Sequence, residues 1–111
     1  MGLFGKDKIT KLYDKAFDLS DKNNHEECIK YYNKIIEINS NEFKAWRGKG
    51  LAFSALEKED EAIICFDKAL EINPNDDLTQ KFKQASFDIK DNNLEIEFSE
   101  SQLNASNLFQ D

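Results

Sequence analysis

The chain has 111 residues, 40% of them hydrophobic, and a formal charge of −7 from 15 basic and 22 acidic side chains. That size supports one modest core, and an acidic balance without a basic stripe argues against nucleic acid as a partner. One proline and four glycines leave few places to stop a helix, so an all-α chain is expected.

Residues 1–8 read as a lead. Met1-Gly2 has Lys6 where a myristoylation signal needs serine or threonine, so no lipid is expected. Neither a secretory signal nor an apolar run of about 18 residues occurs, which predicts a cytoplasmic protein with no membrane contact. Helical spacing then predicts helices over residues 7–21, 24–38, 42–56, 59–72 and 76–90. Asn23 suits the first turn because asparagine tolerates positive φ. Asn24-His25-Glu26-Glu27 reads as a capping box, and Pro74 ends the fourth helix near Asn73. Asn75 or Asp76 can cap the last helix, whose apolar residues Leu78, Phe82, Ala85 and Ile89 recur at helical spacing. Residues 91–111 hold five acidic and no basic side chains, a charge of −5 that leaves only −2 for the rest.

Chemistry finds little footing. Cys28 and Cys65 lack CxxC spacing or a second histidine, so they read as buried thiols and no metal or other cofactor is expected. His25, the sole histidine, falls in the first turn of a helix, and there is no phosphate loop or nucleophile elbow. Glu26, Glu27 and the acidic run from Glu57 to Glu61 suit helix N-termini. No enzyme is predicted.

The main internal signal is a repeat. Glu27, Ile29, Tyr32, Lys34, Ile36, Glu37, Ile38 and Asn39 meet Glu61, Ile63, Phe66, Lys68, Leu70, Glu71, Ile72 and Asn73, each pair 34 residues apart. Such a period marks stacked units, each with an apolar face it cannot bury alone. In the second unit Trp46, Gly50, Phe53, Ala62, Phe66, Ala69 and Pro74 resemble the tetratricopeptide signature, with Lys49 where a leucine usually precedes the glycine. Leu12, Ala16, Leu19, Cys28, Tyr32, Ile35 and Ser40 stand at the matching places of the first unit. Gly50 with Ala62, and Ala16 with Cys28, provide the small side chains that close helix contact needs, and Ile35 is bulkier than Ala69.

The resemblance implies antiparallel helix-turn-helix repeats stacked as a short right-handed superhelix of about five helices. The division expected is 9–42 and 43–76 for the repeats, 77–90 for a capping helix that covers the second repeat, and 91–111 for an acidic tail. It also implies a peptide groove lined by the first helix of each repeat. The register projects Tyr13, Phe17, Lys44, Arg47, Leu51, Lys81 and Phe82 onto it. Tyr13, Phe17, Leu51 and Phe82 would be apolar anchors, although Phe17 and Phe82 equally suit packing between neighbouring helices. Lys44, Arg47 and Lys81 would pair with carboxylates, Arg47 best through its planar fork. Arg47→Glu is then expected to abolish binding of an acidic ligand while leaving helicity intact.

Some members of the family hold acidic chaperone tails with a clamp of lysines, asparagines and an arginine. Tyr13, Phe17, Gly48, Leu78 and Phe82 stand where clamp residues belong, which argues against that ligand. The expected function is a protein-binding adaptor whose partner is acidic with apolar anchors. The alternative is a self-association module that joins chains into a homo-oligomer through repeat ends or the tail. The tail, with Leu94, Ile96, Phe98, Leu103, Leu108 and Phe109, either docks in a groove, forms a short strand, extends the last helix or stays disordered.

Overall fold

The computed structural model describes residues 2–92, with side chains from Lys6 onward. Expectations for residues 93–111, including a strand or a docked tail, lie outside the described residues. The chain is all-α: α1 (Gly2–Asp21), α2 (His25–Ile38), α3 (Phe43–Ala55) and α4 (Glu59–Ile72) are followed by α5 over residues 77–92. Adjacent helices run antiparallel. No strand and no helix long and apolar enough to cross a membrane occurs among the described residues.

The turns repeat as faithfully as the helices. Asn23 and Glu57, 34 residues apart, have φ of 59° and 62°. After each, the chain closes on the preceding helix, with Asn24 N–H donating to the Leu19 carbonyl at 2.8 Å and Lys58 N–H to that of Phe53 at 2.9 Å. These bonds satisfy carbonyls that a helix end leaves open. The first turn uses asparagine, which accepts the left-handed region; the second forces a glutamate into it.

That closure explains one departure from expectation. Asn24 is the N-cap of α2 but makes no side-chain capping bond, because its backbone sits at φ −95°, ψ 68° rather than in the extended form from which a cap side chain reaches inward. Glu27 instead accepts from Lys30 at 2.7 Å. A second departure is α1, which begins at Gly2, five residues before the expected start.

The core follows the repeat. Ala16, Cys28, Tyr32 and Ile35 are buried in the first unit, and their counterparts Gly50, Ala62, Phe66 and Ala69 are buried in the second. Cys28 Sγ–H donates to the Ala16 carbonyl at 2.9 Å, so the thiol both fills the small position and meets the backbone of α1. Both cysteines are free and buried, and burial pushes both thiols up. Two glycines serve close approach: an added Cβ would meet Phe66 Cε1 at 2.5 Å from Gly50, and Tyr32 Cζ at 2.5 Å from Gly48. Thus Phe66 lies on α3 within its own unit, while Tyr32 bridges from α2 to α3. Trp46 is only half-buried, and its indole N–H donates to the Ser40 carbonyl at 3.1 Å, tying α3 to the loop before it.

Helix α5 packs antiparallel on α4. Lys83 pairs with Asp67 at 2.6 Å, Lys90 pairs with Asp60, and the rings of Phe82 and Phe66 lie 6.0 Å apart. Its fully buried residues lie outside the apolar series Leu78, Phe82, Ala85 and Ile89. Thr79 and Ser86 are fully buried, whereas Leu78 is 46% exposed and Ala85 and Ile89 are exposed too. Thr79 and Ser86 stand 34 residues after the buried Ala45 and Ala52, so the helix keeps the repeat's docking face. Small size for close approach outweighs hydropathy at these two places.

Candidate functional site: a groove between the first helices of the repeats

A concave pocket of about 870 Å³ lies between α1 and α3. Its walls carry Tyr13 and Phe17 from α1 and Lys44, Arg47 and Leu51 from α3. Five of the seven projected groove residues therefore share one surface. Lys81 and Phe82 are not among the pocket-lining residues: Phe82 is half-buried against Phe66, and Lys81 is exposed on α5.

Sequence reasoning overlooked the floor and the ends. Tyr32 of α2, 5% exposed, forms the floor, because Gly48 leaves room for its ring between the two first helices. The clue was available, since the register pairs Tyr32 with Phe66 and places a hydroxyl where the second unit has none. Ile9 of α1 lines it too, as does Lys6, which is helical because α1 starts before residue 7, and Ile38 and Glu42 complete the lining from the end of α2 and the start of α3.

An aromatic cluster organises the apolar part. Tyr13 stacks on Phe17 with centroids 5.9 Å apart and meets Tyr32 edge-on at 6.4 Å. Phe17 and Leu51 occupy equivalent positions one repeat apart and are 55% and 40% exposed, so they form a row of apolar side chains open to solvent.

The polar edge is built by a device that occurs twice. Tyr13 Oη–H donates to Glu42 Oε2 at 3.0 Å, and Arg47 Nη1–H donates to Asp76 Oδ2, also at 3.0 Å. Tyr13 and Arg47 are equivalent, as are Glu42 and Asp76, and each pair spans 29 residues. In both, the first helix of one unit holds the residue at the N-terminus of the next unit's first helix. Asp76 also caps α5, accepting from the Thr79 N–H at 3.3 Å and from the Thr79 hydroxyl. The Thr79 hydroxyl and the Arg47 guanidinium hold its carboxyl below the usual range, against the opposing effect of burial. Burial, then the Glu42 hydrogen bond, push the Tyr13 phenol well above its ordinary value; burial takes Tyr32 to about 12.

Arg47 is therefore not a free cation. With Asp76 it forms an ion pair whose side chains are only 19% and 17% exposed, and it lies 5.7 Å from the Phe43 ring centroid. Arg47 has further N–H donors beyond the one given to Asp76 and lines the pocket, but Arg47→Glu would set a carboxylate beside Asp76 and disturb the junction. The substitution therefore does not isolate binding from folding. Lys6 and Lys44 are exposed and make no ion pair among the described residues, which leaves them as the open positive charges of the groove. No group of residues suited to a metal ion occurs among the described residues.

A stack of 34-residue helical hairpins with a concave face of first helices defines a repeat protein of the interaction class. The chain belongs to the tetratricopeptide repeat family, which matches residues 12–42 and 43–76. It is 35% identical over 74 residues to an uncharacterized protein of Methanocaldococcus jannaschii, covering 67% of this chain and 84% of that one. It is also 27% identical over 66 residues to Superkiller protein 3 of Saccharomyces cerevisiae, covering 60% of this chain but only 5% of that much longer protein. Repeats of this family are protein–protein interaction modules, typically without enzymatic activity.

Proposed function

We propose that this protein is a non-enzymatic adaptor that holds a segment of a partner protein in the groove between α1 and α3. The observation that carries the reading is the exposed row of Phe17 and Leu51 over the Tyr13–Tyr32 cluster, beside a pocket of about 870 Å³. Side chains that large, left open together, gain from covering, at about 25 cal/mol per Å² of apolar surface removed from water. Lys6 and Lys44 favour carboxylates in the bound segment, with Arg47 contributing through donors that Asp76 does not use. Lys81 and Phe82 extend the same face toward α5 and complete the contact set.

In this reading residues 9–42 and 43–76 are the binding repeats, residues 77–90 cap them, and the partner is an acidic segment with apolar anchors. A reducing, cytoplasmic setting suits the two free thiols. The test places a photo-crosslinking residue at Phe17 and, separately, at Ile64, which is 67% exposed on α4 and outside the groove. Crosslinks to a partner from position 17 that Leu51→Glu removes, with none from position 64, are expected. Equal capture at both positions would refute the groove, and crosslinks solely to a second copy of this chain would replace the adaptor with self-association.

A further inference from the structure

The sequence after α5 has a chemistry that matches the groove. Residues 93–111 contain Glu95, Glu97, Glu100 and Asp111, no lysine or arginine, and six large apolar residues beginning Leu94, Ile96, Phe98. The groove offers the inverse: exposed Phe17 and Leu51, with Lys6 and Lys44 unpaired among the described residues.

This segment does not suit the most obvious alternative, a second helix for a third repeat. Carried forward by 34 residues, the small position of Ala62 becomes Ile96 and the core position of Phe66 becomes Glu100. A helix in that register would drive a branched side chain into the close contact and bury a carboxylate without a partner. The outer face of α5 agrees, since Gln84 stands where Gly50 meets Phe66 of a second helix, and it is exposed.

Reach permits the groove. The ion pairs of Lys83 and Lys90 with α4 set α5 parallel to α3, so Ala85 lies at the level of Leu51 and Phe17, and Leu78 at that of Lys44. From residue 92 a chain must double back about 20 Å along the helix and cross one or two spacings of about 10 Å. Nineteen residues span up to about 60 Å when extended. In an extended run Leu94, Ile96 and Phe98 fall on one side and Glu95 and Glu97 on the other, so the apolar side can cover the row while the carboxylates stay in water, drawn by the field of the exposed Lys6 and Lys44.

We infer that residues 93–111 are an intramolecular ligand of the groove, an acidic, apolar segment that a partner must displace. The inference rests on the groove being a peptide site. It also specifies the partner's chemistry: a competitor repeats acidic residues alternating with large apolar ones.

The full chain tests this with a spin label at Ser106→Cys, since Cys28 and Cys65 are buried and stay unlabelled. Amide signals of Phe17 and Leu51 are expected to broaden while that of Ile64 does not, and the broadening should weaken with added salt. Triple substitution of Glu95, Glu97 and Glu100 by lysine should remove the effect without changing tail length. Broadening that survives charge reversal reflects mere tethering and overturns the inference. So does broadening seen only between labelled and unlabelled copies. If the label never reaches the groove while position 17 still crosslinks a partner, this inference fails and the adaptor reading stands.

Discussion

The two junctions between successive units use one geometry and opposite chemistry. At the first, the Tyr32 ring crosses onto Gly48 and Tyr13 donates to Glu42; at the second, Phe66 meets Phe82 and Arg47 pairs with Asp76. The neutral donor and the glycine leave the first junction open as a pocket, and the ion pair and second ring fill the second. One stacking rule thus leaves an open pocket at one place and a packed pair of rings at the other, and the difference rests on the two equivalent positions Gly48 and Phe82.

Crowding the glycines should break the comparison most strongly. In Gly50→Ala the new methyl meets Phe66, which is 1% exposed and has nowhere to swing; overpacking of this kind costs about 1–3 kcal/mol. In Gly48→Ala it meets the outer end of Tyr32, which borders the groove and can move into it. Chemical denaturation should therefore rank Gly50→Ala as clearly the less stable, and equal losses would show that Tyr32 is as fixed as Phe66.

The polar pairs should separate by pH. Asp76 titrates lower in the folded chain than in the unfolded one, so its contribution is complete above the ordinary aspartate value near 4 and is lost as pH falls through the depressed one. Tyr13 titrates higher when folded, so its contribution is complete below the ordinary tyrosine value near 10 and is lost as pH rises through the raised one. Asp76→Ala removes a cap and strands Arg47, costing about 1–2 kcal/mol near neutrality, and its deficit should shrink in acid. Tyr13→Phe should cost about 0.5–1.5 kcal/mol, with a deficit that shrinks in alkali. Stability measured against pH for both variants checks this; parallel curves would rule out separate titration of the two pairs.

The smallest effect concerns the turns. Glu57→Asn should stabilise by up to about 1 kcal/mol, because asparagine suits a φ of 62° as Asn23 suits 59°. Asn23→Glu should reverse the sign by a similar amount. Thermal unfolding of the pair sharpens the view that the turns are interchangeable.

Much of this fold was legible in the sequence because the 34-residue register acts on every level at once. It located the small positions, the buried rings, the turn at Asn23 and five of the residues that line the pocket. Local signals mislead where they disagree with that register. Hydropathy singles out Leu78, Phe82, Ala85 and Ile89 on α5, of which only Phe82 is half-buried, whereas the register points to the buried Thr79 and Ser86. A capping pattern at Asn24 concealed that the preceding turn already dictates that backbone. Arg47 and Asp76 were each recognised, one as a ligand contact and one as a cap, but their pairing depends on a distance between units that no single unit contains.

The doubled 29-residue bracket bears on how the stack assembles. Starting a helix is the costly step, since several residues must be ordered before the first backbone bond forms. Here the residue at which each new first helix starts is gripped by the unit before it, Glu42 by Tyr13 and Asp76 by Arg47. Each bracket therefore couples neighbouring units, so that whichever unit is ordered lowers the cost of starting the helix next to it, and order can spread along the stack from either side.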